Sequence, residues 1–379
     1  MGSAAPGTLL DMRILIVGGG VLGTMHAWHA VRRGHQVVQL ERDAGPRAAT
    51  VRNFGLVWVS GRAPGAETTV ALRARELWEE IGKAARGLKF RAAGSLTIVN
   101  TDAEVAVLEQ VMALPDAADR ELKLLDAGEA RALEPALGAD LRAALWCGRD
   151  AIVEPRLVPG ALRQALAASG RYQFLPGRTV VDADTGIVRD HLGDTHHGDA
   201  VVICPGAEHS ILGGKALSGL HRCRLQMMQT APLDIPLRTA LADGDSLRYY
   251  PVFDVPARKN LPAPSPATDR WRMQLLCVQR ADGGLTIGDT HAYDEPFDVG
   301  VAEEAYDELR GRAERILGRT IPKTVTRWAG VYSQQPEPVA AVESRHVLTA
   351  GVHLITGLGG RGMTASPAVA ETTAKELNW

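Results

Sequence analysis

The chain has 379 residues, of which 45% are hydrophobic, and its formal net charge is −2. This length is enough for a large core and favours two domains. Because the charge balance is near neutral and the basic residues are scattered, the composition indicates neither a nucleic-acid partner nor a membrane surface.

The N-terminus and the cysteines bear on where the protein works. Residues 1–11 lack the basic and apolar segments of a signal peptide, so we interpret them as a flexible leader. The four cysteines have neither CxxC spacing nor a nearby histidine at metal-ligand spacing, which predicts reduced thiols and no metal site. No apolar run approaches the ~20 residues that a membrane-spanning helix needs. We therefore expect a cytoplasmic protein, a monomer or small homo-oligomer, that acts on a small molecule.

The first motif is a glycine-rich turn inside the segment from Arg13 to Arg42, which predicts a strand, a turn, a helix and a second strand. Gly18, Gly20 and Gly23 have the GxGxxG spacing that lets backbone amides approach a pyrophosphate at a helix N-terminus. Glu41, at the end of the second strand, is placed to bind a ribose diol. It would repel a phosphate there unless Arg42 turned inward, which disfavours NADP. The spacing alone does not separate NAD from FAD.

Beyond this unit two kinds of segment alternate. A helix is predicted from Glu67 to Ala85, followed by an inserted module of strands and helices over 87–150. A proline-started helix within 153–170 and several short strands then resume the α/β pattern. Short β-type runs follow from Leu220 to Asp298, with a hairpin turn at "ADGG". The last segment returns to a strand, a glycine loop and a helix.

These segments predict an α/β fold with two domains. The first is a discontinuous Rossmann-like domain formed by residues 12–86, 151–215 and 326–379. The second is an α+β substrate-binding domain with a mainly antiparallel sheet, formed by residues 87–150 and 216–325. Its predicted strands include "SLRYYPVF" and "WRMQLLCVQ". Tyr249 and Tyr250 would alternate along the first of these strands, so that only one of them faces a cavity.

Four further segments occur in the order and spacing of a known superfamily: "ATVRNFGLVWVSGR" (49–62), "VVICPGAEHS" (201–210), "RWAGVYSQQPEPV" (327–339) and "ITGLGGRGMTASPAVAE" (355–371). From Met12 onward the chain resembles the D-amino acid oxidase, glycine oxidase and sarcosine oxidase superfamily of FAD enzymes. The resemblance implies a glutathione-reductase-type FAD-binding domain. It also implies noncovalent FAD, because the cysteine that some relatives link to the flavin has no counterpart near "WAGVYSQQPEP".

The resemblance also implies which residues contact the cofactor. Gly18, Gly20 and Gly23 would hold the pyrophosphate and Glu41 the adenosine ribose. Further cofactor contacts are implied for Arg42, Thr50, Arg52, Asn53, Val180, Gly206, Gly357, Gly359, Gly360, Gly362, Met363 and Thr364. Val180 is equally well explained as an ordinary core residue of a strand. The helix that starts near Thr364 is expected to point its positive end at the flavin.

A narrower resemblance concerns the substrate. Segments such as "VRNFGLVW", "LRYYPVF" and "LTIGDTHAY" resemble a branch associated with aminophosphonate breakdown, which implies 2-aminoethylphosphonate or an N-methylated relative as substrate. Amino-acid-oxidising relatives carry an arginine after the "WAG" motif that clamps the substrate carboxylate. Here Tyr332 stands in that place, and a phenol does not replace a bidentate guanidinium.

Other side chains are therefore predicted to meet the substrate. The predicted substrate-binding residues are Arg52, Gln226, Arg248 and Arg272, and the predicted catalytic residues are Tyr250, His291, Tyr332 and Arg361. His291 has a second interpretation as a satisfied strand residue.

The implied reaction is hydride transfer from the amine-bearing carbon to flavin N5, which gives an imine that water hydrolyses to an aldehyde. The reduced cofactor would pass its electrons to O2 or another acceptor. Two alternatives stay open. A glycine, sarcosine or D-amino acid oxidase would need another arginine for the substrate carboxylate. An NAD-binding dehydrogenase, or a nucleotide-binding protein without catalysis, would leave the C-terminal glycine loop without a purpose.

Overall fold

The computed structural model of the protein describes residues 11–211, 215–298, 300–336 and 341–379. Of the predicted flexible leader, residues 1–10 lie outside the described residues. Asp11 is described, and its carboxylate forms an ion pair of 3.1 Å with Arg171.

The secondary structure mixes strands and helices along the whole described chain. In chain order the strands are β1 (Arg13–Val17), β2 (Gln36–Glu41), β3 (Leu56–Val57), β4 (Ser95–Val99), β5 (Leu122–Asp126), β6 (Ala143–Cys147), β7 (Ala151–Ile152), β8 (Tyr172–Pro176), β9 (Val180–Asp184), β10 (Ile187–Asp190), β11 (Thr195–His197), β12 (Ala200–Ile203), β13 (Ser210–Ile211), β14 (Lys215–Ala216), β15 (His221–Pro232), β16 (Ala240–Ala242), β17 (Leu276–Gln279), β18 (Gly284–Gly288), β19 (Thr324–Gln334), β20 (Ser344–Thr349) and β21 (Val352–Thr356). The α-helices are α1 (Val21–Arg32), α2 (Ala66–Ala84), α3 (Asp102–Met112), α4 (Ala127–Leu133), α5 (Val158–Ala167), α6 (Ser246–Tyr249), α7 (Pro266–Trp271), α8 (Glu303–Leu317) and α9 (Gly362–Glu376).

The first sheet carries the N-terminal glycine motif and has the strand order β20-β21-β12-β1-β2-β8. All its pairings are parallel except β20 with β21. The core of β1 is buried on both faces: Ile14 and Ile16 pack in the cluster that includes α1 and α9, and Leu15 packs on the opposite side. A parallel sheet covered on both faces is the arrangement that such continuous apolar strands form. The predicted α/β fold class is confirmed.

The second sheet has the order β19-β15-β18-β17-β16-β4-β6-β5 and is antiparallel except where β16 pairs with β4. The strands β4, β5 and β6 of the inserted module join it directly. β17 and β18 form a hairpin across the "ADGG" turn, as predicted, and Gly283 has a φ of 86° there. β19 pairs with β15 along most of its length. Its residues belong to this sheet, although most of them fall in the range that the sequence assigned to the FAD-binding domain.

One predicted strand is wrong and another is shorter than predicted. "SLRYYPVF" forms helix α6 and a 3-10 helix at Pro251–Phe253, with the Tyr250 amide donating to the Ser246 carbonyl (3.0 Å). In "WRMQLLCVQ", α7 ends at Trp271 and Arg272 adopts a left-handed φ of 45°, so β17 begins only at Leu276. A short apolar run does not distinguish strand from helix by its pattern alone.

The predicted long helices are present. α2 coincides with the predicted 67–85 helix to within one residue, and α3 begins at a capping box in which Thr101 and Glu104 satisfy each other's backbone amides. Among the helices that the structure describes, none is both long enough and apolar enough to cross a bilayer.

Candidate functional site

A cavity of about 700 Å³ lies between the two glycine loops. Val21 and Thr50 line it near the start of α1, and residues from Gly359 to Met363 line it at the start of α9. The charged residues that line it are Arg52, Arg62, Arg248, Arg258, Asp254, Asp289 and Arg361. Arginine outnumbers aspartate among these residues, so the lining favours a ligand with negative charge.

The first glycine loop is tightly built. Gly18 has a φ of 110°, and a Cβ there would lie 2.3 Å from the carbonyl oxygen of Cys204 on the neighbouring strand end. A Cβ on Gly23 would lie 2.2 Å from the Gly18 carbonyl oxygen. Only glycine fits both places. The turn leads directly into α1, whose N-terminus favours a phosphate.

The carboxylate of Glu41 is held beside this loop. It accepts hydrogen bonds from the amides of Gly19 (2.5 Å) and Asp43 (2.9 Å). Arg163, which the sequence analysis missed, donates to the Gly19 carbonyl (2.6 Å) and lies over the Phe174 ring. The Glu41 carboxylate therefore lies at the end of β2, where an acidic side chain can accept hydrogen bonds from a ribose diol.

The segment after residue 48 connects the first loop to the cavity. Thr50 accepts a hydrogen bond from the Val21 amide (2.9 Å), which satisfies a donor in the first turn of α1. The Asn53 side-chain amide donates to the carbonyls of Ala49 and Thr50 and so braces the 3-10 turn Ala49–Val51 that carries Thr50. Arg52 is exposed, lines the cavity and donates to the Ala329 carbonyl (2.7 Å). The structure thus brings Thr50, Arg52 and Asn53 to the cavity as a group.

The second glycine loop forms the facing wall. Gly357 and Gly359 have φ values of 74° and 59°, and a 3-10 turn over Gly359–Arg361 leads into α9 at Gly362. The helix therefore starts two residues before the predicted position. Its N-terminal end lies at the cavity and favours negative charge there.

The first turn of α9 is anchored to other elements. The Met363 carbonyl accepts from the Trp78 indole (2.9 Å), and the Thr364 hydroxyl accepts from the Trp58 amide (2.8 Å). The positive end of the helix is therefore held in place by hydrogen bonds with Trp58 and Trp78.

Three buried charges form a cluster in the cavity wall. Arg361 donates to Glu67 through Nε (2.7 Å), and Arg62 Nη1 lies 3.6 Å from the same carboxylate oxygen. All three side chains are less than a tenth exposed. Burial alone would raise the pKa of Glu67, but Arg62 and Arg361 together lower it. Burial lowers the pKa of Arg62, and Arg361 lowers it further while Glu67 opposes both. Within the described residues, both guanidinium groups lie beside the Glu67 carboxylate.

A buried negative charge in the cavity lining is supplied by Asp289, which is 5% exposed. Its Oδ2 lies 3.7 Å from Nε2 of His291, and the His291 ring stacks on Tyr249 with 4.2 Å between ring centroids. Tyr250 accepts a hydrogen bond from Gln274 (3.3 Å) and meets Tyr249 edge to face at 5.0 Å. Because this segment is helical, Tyr249 and Tyr250 both line the cavity, which corrects the prediction that only one does.

Tyr332 and Arg248 also reach the cavity, as predicted. The Tyr332 hydroxyl is buried and has no hydrogen-bond partner among the described residues, and burial raises its pKa. Arg248 is already held by Asp245 (3.1 Å) and by the Pro262 carbonyl (2.7 Å). Its guanidinium is therefore less available to a ligand than its position alone indicates.

Several predicted residues lie elsewhere. Gln226 points away from the cavity and accepts from the Ala302 amide (2.6 Å), and Arg272 lies over the Tyr293 ring on the surface. Arg42 faces solvent and pairs with Glu208 (3.3 Å). Val180 is a half-buried residue at the start of β9, and Gly206 is exposed in the loop after β12 with a φ of 65°. These side chains miss the cavity because strand register and loop direction decide whether a side chain points into it, and neither can be predicted from the local sequence.

Four residues of the site were not predicted: Arg62, Glu67, Gln274 and Asp289. Arg62 lies in the segment "ATVRNFGLVWVSGR" and Asp289 in "LTIGDTHAY", and the family resemblance of these segments is the signal by which both residues could have been found. Glu67 is 294 residues from Arg361 in sequence, so nothing local indicates their contact. Within the described residues no group of acidic, histidine or cysteine side chains could hold a metal ion.

Known proteins share this architecture. The profile of the DAO family, described as FAD dependent oxidoreductase, matches residues 13–376. Glycine oxidase of Pseudomonas aeruginosa is 26% identical over 375 residues, which cover 95% of this chain and 93% of that protein. The crystal structure of glycine oxidase from Geobacillus kaustophilus superposes with a TM-score of 0.76 at 21% identity, covering 97% of this chain and 95% of the other. L-proline dehydrogenase from P. horikoshii gives a TM-score of 0.77 at 19% identity, covering 97% and 93%.

Proposed function

Because the chain belongs to the DAO family of FAD-dependent oxidoreductases, we propose that it oxidises the carbon–nitrogen bond of a small amine that also carries an anionic group. The proposed substrate class is the aminophosphonates, such as 2-aminoethylphosphonate or an N-methylated relative. When bound, FAD would supply the acceptor for the hydride of the amine-bearing carbon. The remaining imine reacts with water to give an aldehyde.

The residues near the cavity fit FAD. The glycine turn before α1 leaves room for a pyrophosphate, and the Glu41 carboxylate lies where a ribose diol would be bound. The cavity extends from Thr50 to the start of α9, where the positive end of the helix favours negative charge. In this proposal the glycines of both loops, Thr50, Asn53 and Thr364 shape the cofactor site, whereas Arg42 and Gln226 have no part in ligand binding.

The observation that carries the substrate proposal is the buried cluster of Arg62, Glu67 and Arg361. Two guanidinium groups from separate segments meet the Glu67 carboxylate in the cavity wall, so they place several hydrogen-bond donors side by side there. A phosphonate has three oxygens and up to two charges, and donors from separate segments suit it. Tyr332 supports the same conclusion, because a tyrosine stands where amino-acid-oxidising relatives clamp a carboxylate.

Glycine, sarcosine or D-amino acid oxidation is the second candidate. The glycine oxidase relative favours it, and Arg62 or Arg361 could then bind the carboxylate. An NAD-binding dehydrogenase or a non-catalytic protein does not fit a family of FAD oxidoreductases.

Anaerobic mixing with candidate substrates tests the proposal, because bleaching of the flavin reports oxidation of the amine whichever electron acceptor the enzyme uses. We expect 2-aminoethylphosphonate or its N-methyl derivative to bleach the flavin with a higher kcat/KM than glycine, sarcosine or D-alanine. A tenfold preference for an amino acid would establish the second candidate instead. Peroxide release in air then shows whether O2 is the acceptor.

The Arg361→Met variant tests the anion site. Losing a hydrogen bond to a charged group costs about 1.5–3 kcal/mol, which corresponds to an increase in KM of about 10- to 150-fold. The matched control is Arg270→Met, which removes a surface arginine paired with Glu304 at 2.7 Å. We expect the control to keep the wild-type KM. An unchanged KM in Arg361→Met would contradict the assignment.

A further inference from the structure

We infer that Asp289 is the group that takes the proton from the substrate's ammonium nitrogen, with His291 as its partner. Small amines enter a neutral solution mainly as ammonium ions, whose pKa is about 10. The nitrogen needs its lone pair before the adjacent carbon can lose a hydride, so a proton acceptor must lie in the cavity. This inference rests on the proposed function only in requiring an amine substrate, whatever the anionic group of that substrate is.

Asp289 has the placement that such an acceptor needs. It lines the cavity, it is 5% exposed, and its Oδ1 has no hydrogen-bond partner within the described part of the chain. In the same described part, the one basic side chain within 4 Å of its carboxylate is His291, which is charged only when protonated. A buried carboxylate without a guanidinium or ammonium partner is costly, and a ligand that brings a positive charge removes that cost.

The tautomer of the neutral His291 ring is fixed by its other nitrogen. Nδ1 lies 2.8 Å from the Arg272 carbonyl, which can only accept a hydrogen bond, so Nδ1 carries a hydrogen. Nε2 therefore faces Oδ2 of Asp289 at 3.7 Å. When the imidazole is neutral and Asp289 is ionised, two lone pairs face each other. A proton delivered to Asp289 relieves this repulsion, and stacking on Tyr249 keeps the ring in place.

The proton step balances without any further reactant. One N–H bond of the ammonium breaks and its electron pair stays on nitrogen, while an O–H bond forms on Asp289. The proton leaves to solvent after the product departs. Burial raises the pKa of Asp289 and His291 opposes this, so the carboxylate is more basic than an exposed one. The other titratable groups that act on it are Tyr249, Tyr250, Tyr293 and Cys223.

The cavity thus has two charged regions for the two ends of one substrate. Asp289 and Arg62 both act on Tyr250, since burial and Asp289 raise the pKa of its phenol and Arg62 lowers it. Tyr250 is therefore close to both regions. An amine with an anionic group a few bonds away would place its nitrogen at Asp289 and its anion at Arg62 and Arg361.

The test is the pH dependence of kcat/KM in the Asp289→Asn holoenzyme with an amine substrate that wild type oxidises. At pH 7.5 roughly one amine molecule in 300 is already neutral, so we expect kcat/KM to fall by about 100-fold. The loss should shrink to less than about tenfold at pH 10, because the neutral amine then enters directly. Wild type should change by less than about threefold over the same range.

The matched control is Asp294→Asn, which removes an exposed carboxylate from the same segment outside the cavity lining. It should follow the wild-type profile. A kcat/KM for Asp289→Asn within about threefold of wild type at pH 7.5 would overturn the inference. A loss of equal size at every pH would also overturn it, because a purely structural role does not recover with pH.

If Asp289→Asn does not retain FAD, the wild-type enzyme still decides the question. Two substrates whose amine pKa values differ by about one unit are compared. If Asp289 is the acceptor, the pH at which kcat/KM falls on the acid side is the same for both substrates. If the cavity has no acceptor, that pH shifts with the pKa of the substrate amine. Failure of the aminophosphonate proposal is a separate result, because it appears as the wrong substrate preference in wild type and leaves this test to be run with the preferred amine.

Discussion

Replacing Glu67 by Gln tests the buried charge cluster most directly. The substitution keeps the shape of the side chain but leaves Arg62 and Arg361 buried without their shared counter-charge. Breaking a buried ion pair from one side costs about 3–5 kcal/mol. At about 2 cal/mol/K of unfolding entropy per residue, this corresponds to a fall in Tm of roughly 4–6 °C.

The same variant should respond to anions more strongly than wild type does. Methylphosphonate supplies the missing negative charge, so it should recover much of the lost Tm in Glu67→Gln and raise the wild-type Tm less. Thermal unfolding of the FAD-loaded proteins with and without methylphosphonate measures both effects. Glu76→Gln is the control, since Glu76 lies on the same helix in an exposed pair with Arg73, and its loss should cost less than about 1 kcal/mol.

Two outcomes would refute this reasoning. An unchanged Tm in Glu67→Gln would mean that the carboxylate does not stabilise the arginines. An equal loss with and without methylphosphonate would mean that the anion does not bind beside them. The second outcome would also remove the main support for an anionic substrate.

Three further predictions concern the cofactor loop, acid stability and the cavity. Gly18→Ala places a methyl group 2.3 Å from a backbone carbonyl and should lower the flavin-to-protein absorbance ratio, whereas Gly34→Ala, also at positive φ but in open space, should keep its flavin. A hydrogen bond from Arg73 lowers the pKa of Glu371 from 4.5 to about 2, so its stabilisation is complete above pH 4.5 and is lost as pH falls towards 2. Glu371→Gln should therefore flatten the pH dependence of urea unfolding in that window, and an unchanged slope would contradict it. Tyr332→Phe should leave Tm within about 1 °C, because the hydroxyl makes no hydrogen bond within the described part of the chain; a higher KM would show that this hydroxyl contacts the substrate.

Much of the fold could be predicted because its signals are local. The apolar run of β1, the GxGxxG turn and the helix after it lie within twenty residues, and each reflects backbone geometry that the sequence dictates directly. The same holds for α3, whose N-terminal capping box is formed by two residues three positions apart, Thr101 and Glu104. "SLRYYPVF" failed because eight residues of mixed apolar character fit a strand and a helical turn equally well.

The sequence by itself determined an α/β dinucleotide-binding fold, because glycines at close backbone contacts and the apolar strands around them have few physical alternatives. That the cofactor is FAD followed from the resemblance of the four further segments to a known superfamily. Only the tertiary structure decided which side chains share the cavity. It brought Glu67 to Arg361 across 294 residues, turned both Tyr249 and Tyr250 inward, and set Asp289 beside His291. It also turned Gln226 and Arg272 away. These choices depend on register and packing between distant elements, and the free energy of burying a charge is set by the neighbours that only the folded chain provides.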